Sequence, residues 1–481
     1  MYDYAYTTAT QKTSRFTSPS PRLTSPSTLL KVYFNPYLVN CSCINPNTKT
    51  TKMSIQRDLS ELLNAGVISP ETADEIRDYY RNKGGEFSSR LFIVFGILGA
   101  ILVGLGIILI IAHNWDELSR SVKTGFAFMP LLVGQGLCGF TLLRQRESVA
   151  WRESTSVFLF FAVGASISLI SQIYNIPGDI SSFVLTWMLL CLPLVYIMPS
   201  SVVSLFYLVG ITYYACETGY WSYPRSESYW YWGLLLLILP HYYLLYRNRP
   251  ASNFMIFHHW LVPLSVLIVL GTVAHGKGEL MFIAYFSLFG LFYLLGNTSF
   301  FDGQHTRNNG YKILGSLGTI ILLLVVSFDW FWQDLRADEN LWNGVLMAPE
   351  FWVSLLLSLL GGGLLFLQQK GKSLQTIKPI SVVFLLFILI FLLGLVSSFA
   401  VGLINLVVLA IGVLTIREGA QRDHLGILNY GLLIITALIL CRFFDGDLSF
   451  VIRGLLFVLV GAGFFATNYW MLKKRGSLTN Q

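Results

Sequence analysis

Residues 91–112, LFIVFGILGAILVGLGIILIIA, carry no charge, and the run stops abruptly at His113, Asn114, Trp115, Asp116 and Glu117. About 22 residues rising ~1.5 Å each cover the roughly 30 Å of a bilayer's hydrocarbon, which a backbone crosses only as a helix or a closed barrel. Apolar runs recur at about 124–143, 154–174, 180–198, 201–217, 229–246, 258–274, 279–296, 312–330, 351–367, 379–396, 399–416, 425–441 and 450–472. The expected fold is therefore an all-α polytopic transmembrane helix bundle of about fourteen spans over residues 89–473, followed by a cytoplasmic tail over 474–481. The weak points in that count are the very short turns at Pro199–Ser201 and Ser397–Phe399, where two runs could be one broken span.

Only 12% of the 481 residues are charged, about half the usual share for soluble chains, so the solvent is lipid. The formal charge of +7 could point to nucleic acid in a soluble protein. Here the positions of the cations decide otherwise. With the N-terminus inside, about nineteen Lys and Arg fall in cytoplasmic segments, among them Arg144, Arg247, Lys312, Lys378 and Lys473, against about seven outside. That asymmetry is the positive-inside signature, and it predicts both termini in the cytoplasm (N-in/C-in) and the bilayer, with no nucleic acid, as partner. The six cysteines (Cys41, Cys43, Cys138, Cys191, Cys216 and Cys441) are scattered without metal-ligand spacing, so neither a disulfide frame nor a metal site is expected, and no cofactor is expected either.

Residues 1–52 are rich in Ser, Thr, Pro and Asn and are expected to be disordered, with Met53 the expected start of the native protein. Residues 53–88 read as a short cytoplasmic helical hairpin. Leu59, Leu62, Leu63 and Val67 share one face, Gly66 closes the first helix, and Ser69 with Pro70 opens the second. A packed lead-in to the first span explains the hairpin with fewer assumptions than a docking element does.

Polar residues beside the apolar runs gather, on that topology, at the outer face. They come from the end of the first span (His113, Asn114, Trp115, Asp116), from the third span and its break in YNIPGD (Gln172, Asn175, Asp179), and from the last outer loop (Arg442, Asp445, Arg453). Polar groups in hydrocarbon cost several kcal/mol unless paired or wetted, so they turn toward the bundle interior. These ten residues form the candidate substrate site. Each also has a plainer role: Trp115 as an interface anchor, Asn114 and Asp116 as helix caps, Arg442 with Asp445 as a structural pair. Glycines at 96, 99 and 106, at 361–363 and at 454, 461 and 463 suggest close helix packing. No phosphate loop, nucleophile elbow or zinc-peptidase motif is present, so no catalytic residue is assigned.

The segment L-x-x-L-x-x-A-G-V-I-S-P-E at 59–71, the span end HNWDELS at 113–119 and QIYNIPGD at 172–179 resemble the bacterial predicted membrane proteins of domain of unknown function 2157, over roughly residues 55–200. Residues 429–465 also resemble the ending of these proteins. The resemblance implies a multi-pass protein of the bacterial inner membrane and supplies no activity. Three functions follow as expectations. The first is transport or handling of a small-molecule or lipid-linked substrate in an outer-face polar pocket, with Arg442 or Arg453 meeting an anionic group and Asp116 as coupling carboxylate. The second is a membrane glycosyltransferase-like enzyme built on Asp116 and Glu117. The third is a scaffold or sensor acting through the hairpin.

Overall fold

The structure is a computed structural model that describes residues 59, 62–78, 94–99, 101–103, 105–106, 109, 118–221, 226–301, 304–337, 343–373, 377–443 and scattered positions between 451 and 465. The chain divides into two compact units, Met1–Asn82 and Lys83–Gln481. In the first, residues 62–64 and 70–78 are helical. The turn between them is closed by Gly66, whose amide bonds to the Leu63 carbonyl at 3.1 Å while the Val67 amide reaches the Leu62 carbonyl at 3.0 Å. That paired bonding needs a left-handed residue, and Gly66 supplies it at φ +68°. Ser69 caps the second helix by accepting the Thr72 amide at 3.2 Å. Leu59 and Ala73 are buried, whereas Leu62 and Val67 of the expected apolar face are exposed.

The second unit is all helix among the described residues: α1 (Arg120–Arg144), α2 (Val149–Tyr174), α3 (Ile180–Ile197), α4 (Ser201–Cys216), α5 (Trp230–Asn248), α6 (Asn253–Leu270), α7 (Leu280–Leu295), α8 (Gly310–Val325), α9 (Asp329–Ala337), α10 (Pro349–Gln369), α11 (Val383–Gly394), α12 (Phe399–Gln421) and α13 (Leu425–Phe443). Side chains set where many of them begin. Ser148, Asp179, Ser200, Ser252 and Asn309 each accept an amide of the first turn that follows, satisfying donors that a helix start otherwise leaves orphaned. Sequence neighbours pack closely, α1 on α2, α3 on α4 and α12 on α13, while α7 is sandwiched between α8 and α10. One apolar core runs through α1 to α6 around Phe160, Met188, Val203 and Tyr207. A second runs through α7 to α13 around Phe286, Trp332, Phe387 and Ile404.

The expectation of about fourteen spans is corrected here. Seven helices among the described residues are long and apolar enough to cross a membrane, or eight if α8 and α9, bent by 72° at Val326–Phe328, count as one. An apolar run in sequence is not yet a helix of that length. The runs at 201–217 and 279–296 give helices of 16 residues each, about 24 Å against a core of about 30 Å. The run at 379–396 opens with a short turn at Pro379 and yields a helix of 12 residues. The run at 229–246 forms a helix of 19 residues, but Pro240, His241, the tyrosines and Arg247 dilute its apolar character. The runs at 91–112 and 450–472 lie largely outside the described residues. The N-in/C-in assignment is drawn from the Lys and Arg bias over loops alternating between fourteen spans, and that alternation does not survive the corrected count. At the two tight turns the chain does reverse: α3 and α4 lie against each other, as do α11 and α12.

Candidate functional site

The break QIYNIPGD is a stop and a start in immediate succession. Asn175 takes the left-handed conformation at φ 49°. Its amide meets the Gln172 carbonyl at 3.4 Å, and the Ile176 amide meets the Ser171 carbonyl at 2.9 Å, the same double bond that ends the helix of the first unit. Asparagine is among the few non-glycine residues that tolerate this backbone, and Pro177 bars continuation. Asp179 then caps α3, its Oδ1 accepting the Ser182 amide at 2.8 Å. Hydrogen bonds from Ser182 hold the Asp179 carboxyl below its ordinary value. The Ser171 hydroxyl donates to the Ile176 carbonyl at 3.0 Å, and Tyr174 shares a hydrogen bond with Thr124 of α1 at 3.2 Å. The backbone groups freed by Pro177 and Gly178 are thus largely satisfied by caps.

This turn forms one end of a cavity of about 1150 Å³ between α1, α2 and α3. Ser171, Gln172, Asn175 and Asp179 line the end at the turn, and Phe128, Val163, Phe183 and Leu190 line the part farther along the helices. Gln135, Ser168 and Thr186 continue the polar character into the apolar part. Its lining holds one charged residue, Asp179, and no lysine or arginine. The Gln172 amide makes no side-chain hydrogen bond among the described residues and is exposed toward the cavity.

Of the ten expected site residues, the structure brings together Gln172, Asn175 and Asp179. Arg442 does not line this cavity. It donates to the Ser327 hydroxyl at 3.1 Å, and its guanidinium lies 4.5 Å from the Phe328 ring centre, so it braces the bend between α8 and α9. His113, Asn114, Trp115, Asp116, Asp445 and Arg453 lie outside the described residues, and with them the carboxylates on which the glycosyltransferase-like reading was built.

Sequence reasoning passed over a buried polar group between α2, α4, α5 and α6. Glu153 is 1% exposed and accepts the Ser201 and Val202 amides. His258 shares a hydrogen bond with Ser204 at 2.8 Å, and His259 shares one with Tyr242 at 2.7 Å. His241 stands 6.1 Å from His258, ring centre to ring centre. The adjacent histidines at 258 and 259 inside an apolar run were a visible signal, since ionisable residues within a span face its interior. No group of three His, Cys, Asp or Glu among the described residues is arranged to hold a metal ion.

Residues 60–204 match the family model described as "Predicted membrane protein (DUF2157)", so the resemblance expected from the sequence holds over that segment. No curated protein and no solved structure matches the chain. The protein is an α-helical, multi-pass membrane protein.

Proposed function

We propose that the cavity between α1, α2 and α3 holds an amphipathic guest, a lipid or lipid-linked molecule, and that the protein's work is to handle that guest within the membrane. The graded lining carries the reading. Polar side chains cluster at the α2–α3 turn while aromatic and aliphatic ones continue along the helices, which suits a hydrogen-bonding head at one end and an apolar chain at the other. The Gln172 amide and the Ser168 hydroxyl are available to a head group rich in hydroxyls or amides. With Asp179 the sole charge of the lining, an uncharged or cationic head is favoured over an anionic one. The part first assigned to Arg442, meeting an anion in this pocket, is dropped, because that side chain is engaged at the α8–α9 bend. The match to a predicted membrane protein family supports a membrane as the setting, and the setting we assign is the bacterial inner membrane that the sequence resemblance implies.

The test is to purify the full chain in mild detergent and identify co-purifying molecules by mass spectrometry. Ser168→Trp fills the cavity. A lipid-linked species retained by the wild type and lost from that variant is the expected result. Identical contents in the two proteins, both eluting as monodisperse peaks, would reject the proposal.

A further inference from the structure

A second cavity, of about 410 Å³, opens between the end of α7, the start of α8, the end of α10 and the segment leading into α11. Its chemistry differs from the first. Lys312, Lys372 and Lys378 line it, and no aspartate or glutamate does. Three of its five amide side chains are already fixed. Asn297 donates to the Tyr293 carbonyl at 2.6 Å, Asn309 to the Gly296 carbonyl at 2.7 Å, and Gln368 to the Leu294 carbonyl at 2.9 Å. The Lys378 ammonium donates to the Asn297 amide oxygen at 2.7 Å. That of Lys312 makes no hydrogen bond among the described residues.

Glu418 is near enough for its charge to act on both ammonium groups, but it is paired with Arg422 at 3.1 Å, one turn along α12, and no carboxylate lines the cavity in which Lys312 and Lys378 stand half-buried. Burial, and then the neighbouring Lys312, holds the Lys378 ammonium below its ordinary value. Lysines that merely obey the positive-inside rule extend into water, as Lys370 does. Drawing two ammonium groups partly out of water into one cavity costs free energy that a bound anion with several acceptor oxygens offsets.

We infer that this lysine-lined cavity is a binding site for a phosphate group, carried by an anionic lipid head or by a soluble phosphate compound. Lysine binds phosphate as a point charge from any direction, so a monoester and a diester both suit two converging ammonium groups. The volume lies within the ordinary range for small-ligand sites, about 300–1,000 Å³.

Calorimetric titration of the full-length protein in neutral detergent distinguishes the sources. The probes are inorganic phosphate, glycerol 3-phosphate and dihexanoyl-phosphatidylglycerol below its micellar concentration, each at fixed ionic strength. At least one is expected to bind the wild type, and the double variant Lys312→Gln/Lys378→Gln should bind it about tenfold or more weakly. Lys370→Gln should bind it as the wild type does, and Lys378→Arg, which keeps the charge, should stay within about threefold. Heat from the soluble phosphates identifies a soluble ligand, and heat from the short-chain lipid alone identifies a lipid head. Should the double variant elute as aggregate, Lys378→Gln by itself carries the test with a loss of about fivefold. Failure of every probe to bind the wild type, or undiminished binding in the lysine-to-glutamine variants, would overturn the inference.

Discussion

Glu153 in α2 accepts the backbone amide of Ser201 at the start of α4, at 3.0 Å. Its second carboxylate oxygen takes the Val202 amide at 3.1 Å and the Ser200 hydroxyl. A helix start presents unpaired amides and a partial positive charge, so one buried carboxylate satisfies both needs at once. Removing it leaves buried donors without acceptors. Glu153→Ala should therefore lose about 3 kcal/mol of stability, whereas Glu153→Gln, which keeps one acceptor oxygen, should lose about half as much. Reversible unfolding in mixed micelles, followed by tryptophan fluorescence, measures both.

Glu350 plays the matching part at the other core. In the first turn of α10, its Oε1 accepts the amides of His275, Gly276 and Lys277 at 2.6, 2.8 and 3.0 Å. One carboxylate oxygen thus gathers three successive amides of the loop before α7, so Glu350→Ala should speed amide exchange at 275–277 by about tenfold or more, while the middle of α7 is unchanged. Exchange followed by peptide mass spectrometry reads the difference. Uniform acceleration along α7 would mean that the carboxylate supports the helix rather than the loop.

Helix packing supplies a matched pair of glycines. A methyl group at Gly315 in α8 would sit 2.5 Å from the Tyr293 amide nitrogen and 2.7 Å from the Phe289 carbonyl oxygen of α7, where nothing flexible can yield. Gly362 in α10 has nothing within 4 Å of the same position. Gly315→Ala should cost about 1–3 kcal/mol by overpacking, and Gly362→Ala should be neutral or gain up to about 1 kcal/mol from helix propensity. Thermal unfolding of the two variants side by side decides it.

The Asp179 cap carries a pH dependence with a definite sign. Its folded value lies below the ordinary 3.8 because Ser182 bonds to the charged form. The cap's contribution is thus complete above about pH 4 and fades as pH falls through the lower folded value. The Ser182 amide resonance of isotopically labelled protein should titrate in that acid range. In Asp179→Asn, which caps without titrating, it should stay put.

Several of these relationships show where a sequence can be read and where it cannot. Ser200, Ser252 and the break at Asn175–Asp179 act on residues within a turn of themselves, and local chemistry of that kind is written in the order of the letters. The apolar runs gave the all-helical bundle for the same reason. Helix length proved harder. The run at 379–396 loses its first turn to Pro379, those at 201–217 and 279–296 are long enough only for helices of 16 residues, the polar residues of 229–246 dilute its helix, and those at 91–112 and 450–472 lie largely outside the described residues, so seven or eight spans are found there in place of fourteen. Glu153 has no signal in the sequence because its partners at 200–202 are brought to it only by the packing of α2 on α4. Lys312 and Lys378 likewise read as separate members of a charge bias until the fold set them in one cavity. The glycines divide too: of those conspicuous in sequence, Gly96 and Gly361 pack closely against Ser154 and Phe384 while Gly99, Gly106, Gly362 and Gly363 have open space around them, and Gly315 and Gly431, which drew no notice, meet neighbouring backbone.

The cavity between α1, α2 and α3 can be probed in the membrane itself. A photoreactive benzoylphenylalanine placed at Phe183, on the cavity wall, is compared with one at Leu132, an exposed position on α1 outside it. After irradiation of intact membranes, the masses attached at each position are determined. Position 183 should capture an amphipathic species enriched over position 132, and Gln172→Ala should reduce that capture by about half or more. An identical profile of bulk lipid at both positions, unaffected by Gln172→Ala, would contradict the proposal that this cavity is built for a particular guest.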